Sequence, residues 1–150
     1  MSERYCVVIP ADPNDPMPDT AEARRETLAL IVGTDQSRVK DYGKVQFIDA
    51  GGNWDGVACP KCGYTLTTPE WHKMMDRAWD DEKGFELVTD QTPCCGASTT
   101  VADLDYKWPI GFARWFVSAY DKTHGPLTEA ETRQLSNVAG MPLRAIYQHY

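Results

Sequence analysis

Cys59-Pro-Lys-Cys62-Gly63 and Pro93-Cys94-Cys95-Gly96 are the two stretches of sequence that decide how the middle of this chain folds. Each stretch carries two cysteines in a short turn, and the glycine that follows lets the backbone turn back without a Cβ clash. Four cysteine sulfurs complete the tetrahedral coordination of a structural Zn²⁺ ion. The pattern predicts a zinc ribbon or zinc knuckle within residues 57–97, with Cys59, Cys62, Cys94 and Cys95 as metal ligands.

The second turn is irregular, because Cys94 and Cys95 are adjacent whereas two residues separate Cys59 from Cys62. Adjacent side chains in an extended chain point to opposite sides. His72 is therefore an alternative ligand that could replace one sulfur. Four protein ligands leave no open coordination position for water or substrate, so the pattern favours a structural metal over a catalytic one.

The start of the chain bears on the remaining cysteine, Cys6. The apolar stretch around it is short and meets Pro10 too early for a secretory signal peptide, so we expect a cytoplasmic protein. Cysteines in a reducing cytosol bind metals more often than they form disulfides. Cys6 lies among apolar residues and is expected to be an inert core thiol.

Length and charge limit the class of protein. A chain of 150 residues is the size of one domain, and no apolar run approaches the roughly 20 residues that cross a bilayer. The formal net charge is −7, and the acidic excess lies before residue 99. A Zn²⁺ ion with four thiolates would add about two negative charges there. The composition therefore predicts a basic protein partner and makes nucleic acid an unfavourable one.

The first half of the chain alternates strand and helix signals. β-branched residues predict a strand over 4–10, and a proline-rich loop follows over 11–18. A helix is predicted over 19–32 and a strand over 44–49. Thr67, Pro69 and Glu70 indicate the start of a second helix, predicted over 69–82.

The second half is predicted to contain a strand over 98–106, because polar and apolar residues alternate there. The apolar residues over 108–120 predict a largely enclosed core helix. Thr128 and Glu131 form a capping-box pattern for a further helix that Gly140 ends. The tail, residues 143–150, is compatible with either a strand or a helix.

This order of elements predicts an α+β fold. A split βαβ sandwich, ferredoxin-like in outline, places a zinc-binding lobe between its two middle strands. Residues 1–150 then form a single domain, and residues 57–97 form an insertion within it. The lobe has few apolar residues, so we expect metal coordination to supply much of its order.

No group of residues predicts a catalytic site. The three histidines lie far apart in sequence, and the pairs Asp80-Asp81 and Asp103/Asp105 are explained by an exposed helix end and a polar strand face. Gly51-Gly52-Asn53 lacks the lysine of a phosphate-binding loop and indicates a turn. An enzyme with a pocket at the tryptophan-rich surface near Trp54 is a third, weaker hypothesis.

Two resemblances bear on function. Residues 138–150 resemble the recognition-helix segment of tetracycline-repressor-type regulators, although Arg133 and Arg144 are almost the only basic residues nearby and a packing tail is favoured. The whole chain resembles small uncharacterised bacterial zinc-ribbon proteins that combine Val-Ile-Pro-Ala-Asp-Pro (8–13), Gly-Gly-Asn-Trp (51–54), the CPxCG and PCCG turns and a Trp-Pro-x-Gly-Phe-Ala-Arg segment (108–114). This second resemblance implies a self-contained bacterial domain and brings no activity with it.

The sequence thus favours a non-enzymatic, zinc-stabilised module for protein–protein interaction. Neutralisation of a basic toxin, as an immunity protein does, and work as an adaptor are the two expected settings. The alternative is a nucleic-acid-binding regulator that uses the zinc ribbon or the C-terminal helix-turn-helix-like segment.

Overall fold

The computed structural model describes residues 3–150, apart from the side chain of Ala139. It is a mixed α/β structure with a six-stranded mixed sheet and three α-helices. Along the chain the elements are β1 (Arg4–Pro10), α1 (Ala21–Val32), β2 (Ser37–Ile48), β3 (Val57–Ala58), α2 (Thr68–Ala78), β4 (Trp79–Asp80), β5 (Gly84–Phe85), β6 (Asp90–Gln91), β7 (Ser98–Thr99), β8 (Asp105–Tyr106), β9 (Gly111–Tyr120), α3 (Glu129–Ala139) and β10 (Leu143–His149).

The large sheet has the strand order β10-β1-β9-β2-β5-β4. Its four long strands, β10, β1, β9 and β2, all pair antiparallel, while the short β5 pairs parallel to β2 and antiparallel to β4. Two separate two-stranded pairs, β3–β8 and β6–β7, lie outside this sheet. The segment between β2 and β9 therefore contributes α2 and six short strands, and it contains every cysteine except Cys6.

Helices α1 and α3 cover one face of the long strands. Leu28 of α1 and Leu135 of α3 are fully buried against Trp115 and Val117 of β9, and the Cys6 thiol lies in the same cluster. Burial raises the pKa of Cys6 to about 12. The thiol is therefore protonated at neutral pH, as expected of an inert core cysteine.

A second apolar cluster joins the inserted segment to the end of the sheet. Met74 and Met75 of α2 pack with Val45 of β2 and Phe112 of β9, and Val57 belongs to the same cluster. Helix α2 therefore shares a core with the long strands. That metal coordination supplies much of the order of the two cysteine-bearing turns stays a prediction.

The predicted core helix over 108–120 was wrong, because residues 111–120 form the strand β9. β9 pairs with β1 on one side and β2 on the other, and both of its faces are buried. Trp115 lies on the face that meets α1, and Phe116 lies on the opposite face. A strand buried on both faces shows a continuous apolar run, which periodicity cannot distinguish from an enclosed helix.

The continuous strand predicted over 98–106 was also wrong. The structure divides this stretch into β7, a 3₁₀ turn at Val101–Asp103 and β8, and the two short strands pair with different partners. Strand 44–49 is the second half of a longer β2, and α2 ends at Ala78, four residues before its predicted end. Helix α1 begins two residues later than predicted.

The C-terminal segment is a strand. Residues 143–149 form β10, which pairs along its whole length with β1, so this segment cannot act as a recognition helix. Before it, α3 begins with the capping box that Thr128 and Glu131 predict. Within residues 3–150, no helix combines the length and apolar character required to traverse a bilayer.

Hydrogen bonds around His124 connect the loop before α3 to the first turn of that helix. Nδ1 of His124 lies 2.9 Å from the backbone oxygen of Gly125, and Nε2 lies 2.9 Å from Oε2 of Glu131. The Gly125 carbonyl, followed by the Glu131 carboxylate, raises the pKa of His124 above its ordinary value. Asp121 accepts hydrogen bonds from the backbone N–H groups of His124 and Gly125.

Candidate metal centre

The first cysteine turn closes a tight hairpin after β3. The backbone N–H of Cys59 donates to the carbonyl of Tyr64 at 2.8 Å, and the N–H of Gly63 donates to the carbonyl of Cys59 at 3.0 Å. Gly63 has a φ of 78°, which other residues rarely adopt. The glycine of the CPxCG motif is therefore required by the turn itself.

The second cysteine turn, between β6 and β7, has the same hydrogen-bond pattern. The N–H of Thr92 donates to the carbonyl of Ala97 at 3.0 Å, and the N–H of Gly96 donates to the carbonyl of Thr92 at 3.1 Å. Gly96 has a φ of 70°. Thr92 thus takes the place that Cys59 has in the first turn, and Cys95 takes the place of Cys62.

The two turns meet with their sulfurs together. The Sγ atoms of Cys59 and Cys95 are 3.7 Å apart, and those of Cys62 and Cys94 are 3.4 Å apart. All four sulfurs lie within 4.8 Å of one another, close enough to hold one metal ion. A Zn–S bond of about 2.3 Å places the sulfurs of a regular tetrahedron about 3.8 Å apart, so the observed spacing suits a metal of this size.

The turn geometry explains how adjacent cysteines reach one centre. Cys94 and Cys95 lie in a turn that reverses the chain, where neighbouring side chains need not point apart as they do in a strand. His72, the alternative ligand, lies outside the sulfur cluster. It is exposed on α2 and stacks on Trp71 with a centroid distance of 5.3 Å.

Thr92 is the residue at this centre that the sequence analysis missed. It is buried, and its hydroxyl oxygen accepts a hydrogen bond from the N–H of Ala97 at 3.1 Å. The thiol of Cys59 donates to the same oxygen at 3.6 Å, and between this oxygen and Sγ of Cys95, 3.7 Å away, either atom can be the donor. When these cysteines are thiolates, the hydroxyl is the group that has a proton to donate. Aligning Thr-Pro-Cys-Cys-Gly with Cys-Pro-Lys-Cys-Gly would have identified it.

Backbone groups prepare Cys59 for metal binding. Hydrogen bonds from the N–H groups of Cys62 and Lys61, with further ones from the side chains of Thr92 and Cys94, lower the pKa of the Cys59 thiol to about 6. The thiolate is the form that ligates metals, so this environment favours the required charge state for Cys59. Without a metal ion the sulfurs compete for protons, and the hydrogen bond to Cys94 raises the pKa of Cys62 to about 12. Cys59 is buried, whereas the three other cysteines of the cluster are exposed at the tips of the turns.

Helix α2 is tied to both hairpins. The hydroxyl of Tyr64 donates to Oε1 of Glu70 at 2.9 Å, and Glu70 also completes the capping box at the start of α2. At the other end of the helix, Arg77 pairs with Asp90 of β6 at 2.9 Å. The helix and the sulfur cluster therefore join the same two hairpins independently.

An aromatic surface lies beside the start of α2. Trp54 is 38% exposed, and its ring stacks on Trp71 with centroids 4.8 Å apart. The indole N–H of Trp71 donates to the hydroxyl of Tyr106 at 3.1 Å, which fixes the inner ring of the pair. Trp54 thus packs on a ring that a hydrogen bond holds in place, and part of Trp54 stays in contact with solvent.

Trp54, where the enzyme hypothesis placed a pocket, lines neither of the two grooves described for residues 3–150. One groove has a volume of about 630 Å³ and lies on the sheet face opposite α1, and its lining includes Arg38, Tyr42, Asp49 and Tyr150. The acidic pairs have local partners: Asp80 accepts from the backbone N–H groups of two following residues. The other pair is engaged too, since Asp103 accepts from Thr100 and Asp105 pairs with Lys107.

No protein-family model, curated protein or solved structure matches this chain.

Proposed function

We propose that Cys59, Cys62, Cys94 and Cys95 hold one structural Zn²⁺ ion. The donor set supports this assignment, because four thiolates in a tetrahedral arrangement are typical of zinc. Four sulfurs leave no coordination position for a substrate. The ion would hold the tips of the two hairpins together.

Elemental analysis of protein purified without chelators tests the metal. We expect about one zinc per chain, lost in Cys62→Ser and retained in the control variant Cys6→Ser, whose thiol lies in the core. Another metal in place of zinc, or no metal, would contradict the assignment.

We also infer that the long strands form a ferredoxin-like split βαβ sandwich, with residues 57–97 as a zinc-binding insertion in a single domain. The order β10-β1-β9-β2, its antiparallel pairing and the positions of α1 and α3 support this inference. The residues of the proposed lobe lie between β2 and β9, the second and third long strands along the chain. Limited proteolysis tests the single domain, because a chain cut within 57–97 should stay associated through the core shared with α2.

As the function of the chain we propose non-enzymatic binding of a basic protein partner through the zinc lobe. The main observation behind this proposal is the cluster of four sulfurs. An ion bound there would hold the surface of the two turns in place and would leave no coordination position for a substrate. Residues 59–98 contain seven acidic and four basic side chains, and a Zn²⁺ ion with four thiolates would add about two negative charges. Such a surface attracts a cationic partner over long range.

Trp54 is the expected apolar contact at the edge of that surface, beside the start of α2. A partly exposed tryptophan packed on a second ring is a common anchor in protein interfaces, and its ring face also attracts arginine and lysine. Asp55, exposed next to Trp54, would form part of the polar rim. Neutralisation of a toxin or work as a cytoplasmic adaptor would suit this surface.

Affinity capture from the native host tests the proposal. We expect the chain to enrich a basic protein, with capture that weakens as salt rises and is lost in Trp54→Ala. Tyr42→Ala is the matched control, because Tyr42 is also 38% exposed but lies in the groove on the sheet. Capture that is indifferent to Trp54, or a salt-sensitive mobility shift with nucleic acid in place of a protein partner, would overturn the proposal.

A further inference from the structure

Arg24 is a buried cation without an acceptor for most of its donors. It lies on α1, its side chain is 0% exposed, and its guanidinium carbon is 4.8 Å from the ring centroid of Trp115. Nη2 makes one long hydrogen bond, 3.4 Å, to the hydroxyl of Thr20. Within residues 3–150, Nε and Nη1 have no hydrogen-bond partner. The three N–H donors on Nε and Nη1, out of five in the side chain, are therefore unsatisfied.

No carboxylate within the described part of the chain neutralises this guanidinium. The neighbouring Arg25 pairs with Glu22 and Glu26, whereas Arg24 forms no ion pair. Burial alone lowers the pKa of Arg24, to about 10, with no contribution from a nearby charge. An arginine is still protonated at neutral pH at that value, and a buried charge without a partner is strongly unfavourable.

The first turn of α1 adds a second positive feature at the same place. The side chain of the N-cap residue Thr20 makes no capping hydrogen bond to the helix backbone. Its hydroxyl faces Arg24 instead. The N–H of Ala21 donates to the carbonyl of Pro18 at 3.1 Å, but the positive end of the helix dipole still favours an anion. Glu22 in the first turn is paired with Arg25, so the helix terminus and the Arg24 guanidinium act in the same direction.

We infer that Arg24 and the first turn of α1 form a binding site for a compact oxyanion of the carboxylate or phosphate kind. The planar guanidinium donates in a fork that matches the oxygens of such groups. The proline-rich segment 11–18 crosses the edge of the site, because the carbonyl of Asp15 accepts from the indole N–H of Trp115 at 3.2 Å. This enclosure restricts the ligand to a small anion.

Thermal unfolding in sodium formate and in sodium phosphate, each compared with sodium chloride at equal ionic strength, tests the site. At about 100 times its Kd, an anion that binds only the folded chain raises Tm by roughly 5 to 10 °C. We expect this rise in the parent and in Arg25→Met, and no rise in Arg24→Met. Phosphate stabilises many proteins nonspecifically, so the difference between the two variants is the relevant quantity.

A titration followed by NMR decides the question even if Arg24→Met fails to fold. The Nε–H resonance of Arg24, assigned by its loss in Arg24→Lys, should shift saturably as formate or phosphate is added. The Nε–H resonance of Arg25, which donates to Glu22, serves as the internal control. An unmoved Arg24 resonance, or equal Tm responses in all three proteins, would overturn the inference and indicate a buried water in place of the anion.

Discussion

The variant Thr92→Val removes the hydroxyl of Thr92 but keeps the size and shape of its side chain. Valine keeps the size of the buried side chain but leaves the N–H of Ala97 without its acceptor and removes the donor that faces two sulfurs. An unsatisfied buried N–H destabilises a fold by about 1–3 kcal/mol. Loss of an outer-shell hydrogen bond typically weakens metal binding about 10- to 100-fold. We therefore expect Thr92→Val to fold, to keep all four cysteines and to bind zinc about 10- to 100-fold more weakly.

Competition with a chromophoric zinc chelator measures this affinity, and circular dichroism checks that the fold is intact. Thr92→Ser, which restores the hydroxyl, should recover most of the affinity. Thr89→Val is the matched control, because Thr89 is exposed in the loop before β6. Zinc affinity of a folded Thr92→Val within about twofold of the parent would refute the reasoning, as would an equal loss in Thr89→Val.

Three other predictions concern the turns, the histidine and a glycine. The double variant Thr92→Cys with Cys94→Lys makes the second motif Cys-Pro-Lys-Cys-Gly. It should bind one zinc ion with an affinity within about tenfold of the parent in the same chelator competition. Loss of zinc binding would show that the two turns are not equivalent. The pKa of His124 is raised by folding, so its stabilisation is complete below the unfolded pKa and is lost as pH rises through the folded one. Urea unfolding between about pH 6 and pH 8 should therefore show a larger loss of stability in the parent than in His124→Gln, and equal losses would contradict this. Gly84 has a φ of 76°, and a Cβ there would collide with the backbone of β2. Gly84→Ala should therefore lower the free energy of unfolding by about 1–3 kcal/mol in the same assay. Gly43→Ala, where φ is also positive but no atom lies near, should lose clearly less.

Local signals predicted two of the elements well. The β-branched run of β1 and the capping box of α3 depend on residues close in sequence, and the structure confirms both. The central strand was not predictable in this way. Trp115 and Phe116 are both apolar because α1 covers one face of β9, while side chains of the neighbouring strands pack around Phe116 on the other face. Nothing inside the segment records that both of its faces are buried.

The metal centre was predictable in its sulfurs but not in its surroundings. The motif spacing named Cys59, Cys62, Cys94 and Cys95, because a CxxC turn and a glycine are local requirements of this kind of site. Thr92 was missed because its hydroxyl reaches Cys59 only after two hairpins distant in sequence have met. The same applies to Arg24, whose burial follows from the packing of α1 on β9.

By itself, the amino-acid sequence determined the four sulfurs, the acidic charge and the elements whose signals lie within one turn of helix or one short strand. Only the tertiary structure decided that residues 111–120 are a central strand, that residues 143–149 complete the sheet beside β1, and that Arg24 is enclosed without a partner. The physical reason is that burial on two faces and pairing across the chain depend on residues far away in sequence. A local pattern records which side chains are apolar, but it does not record what covers them.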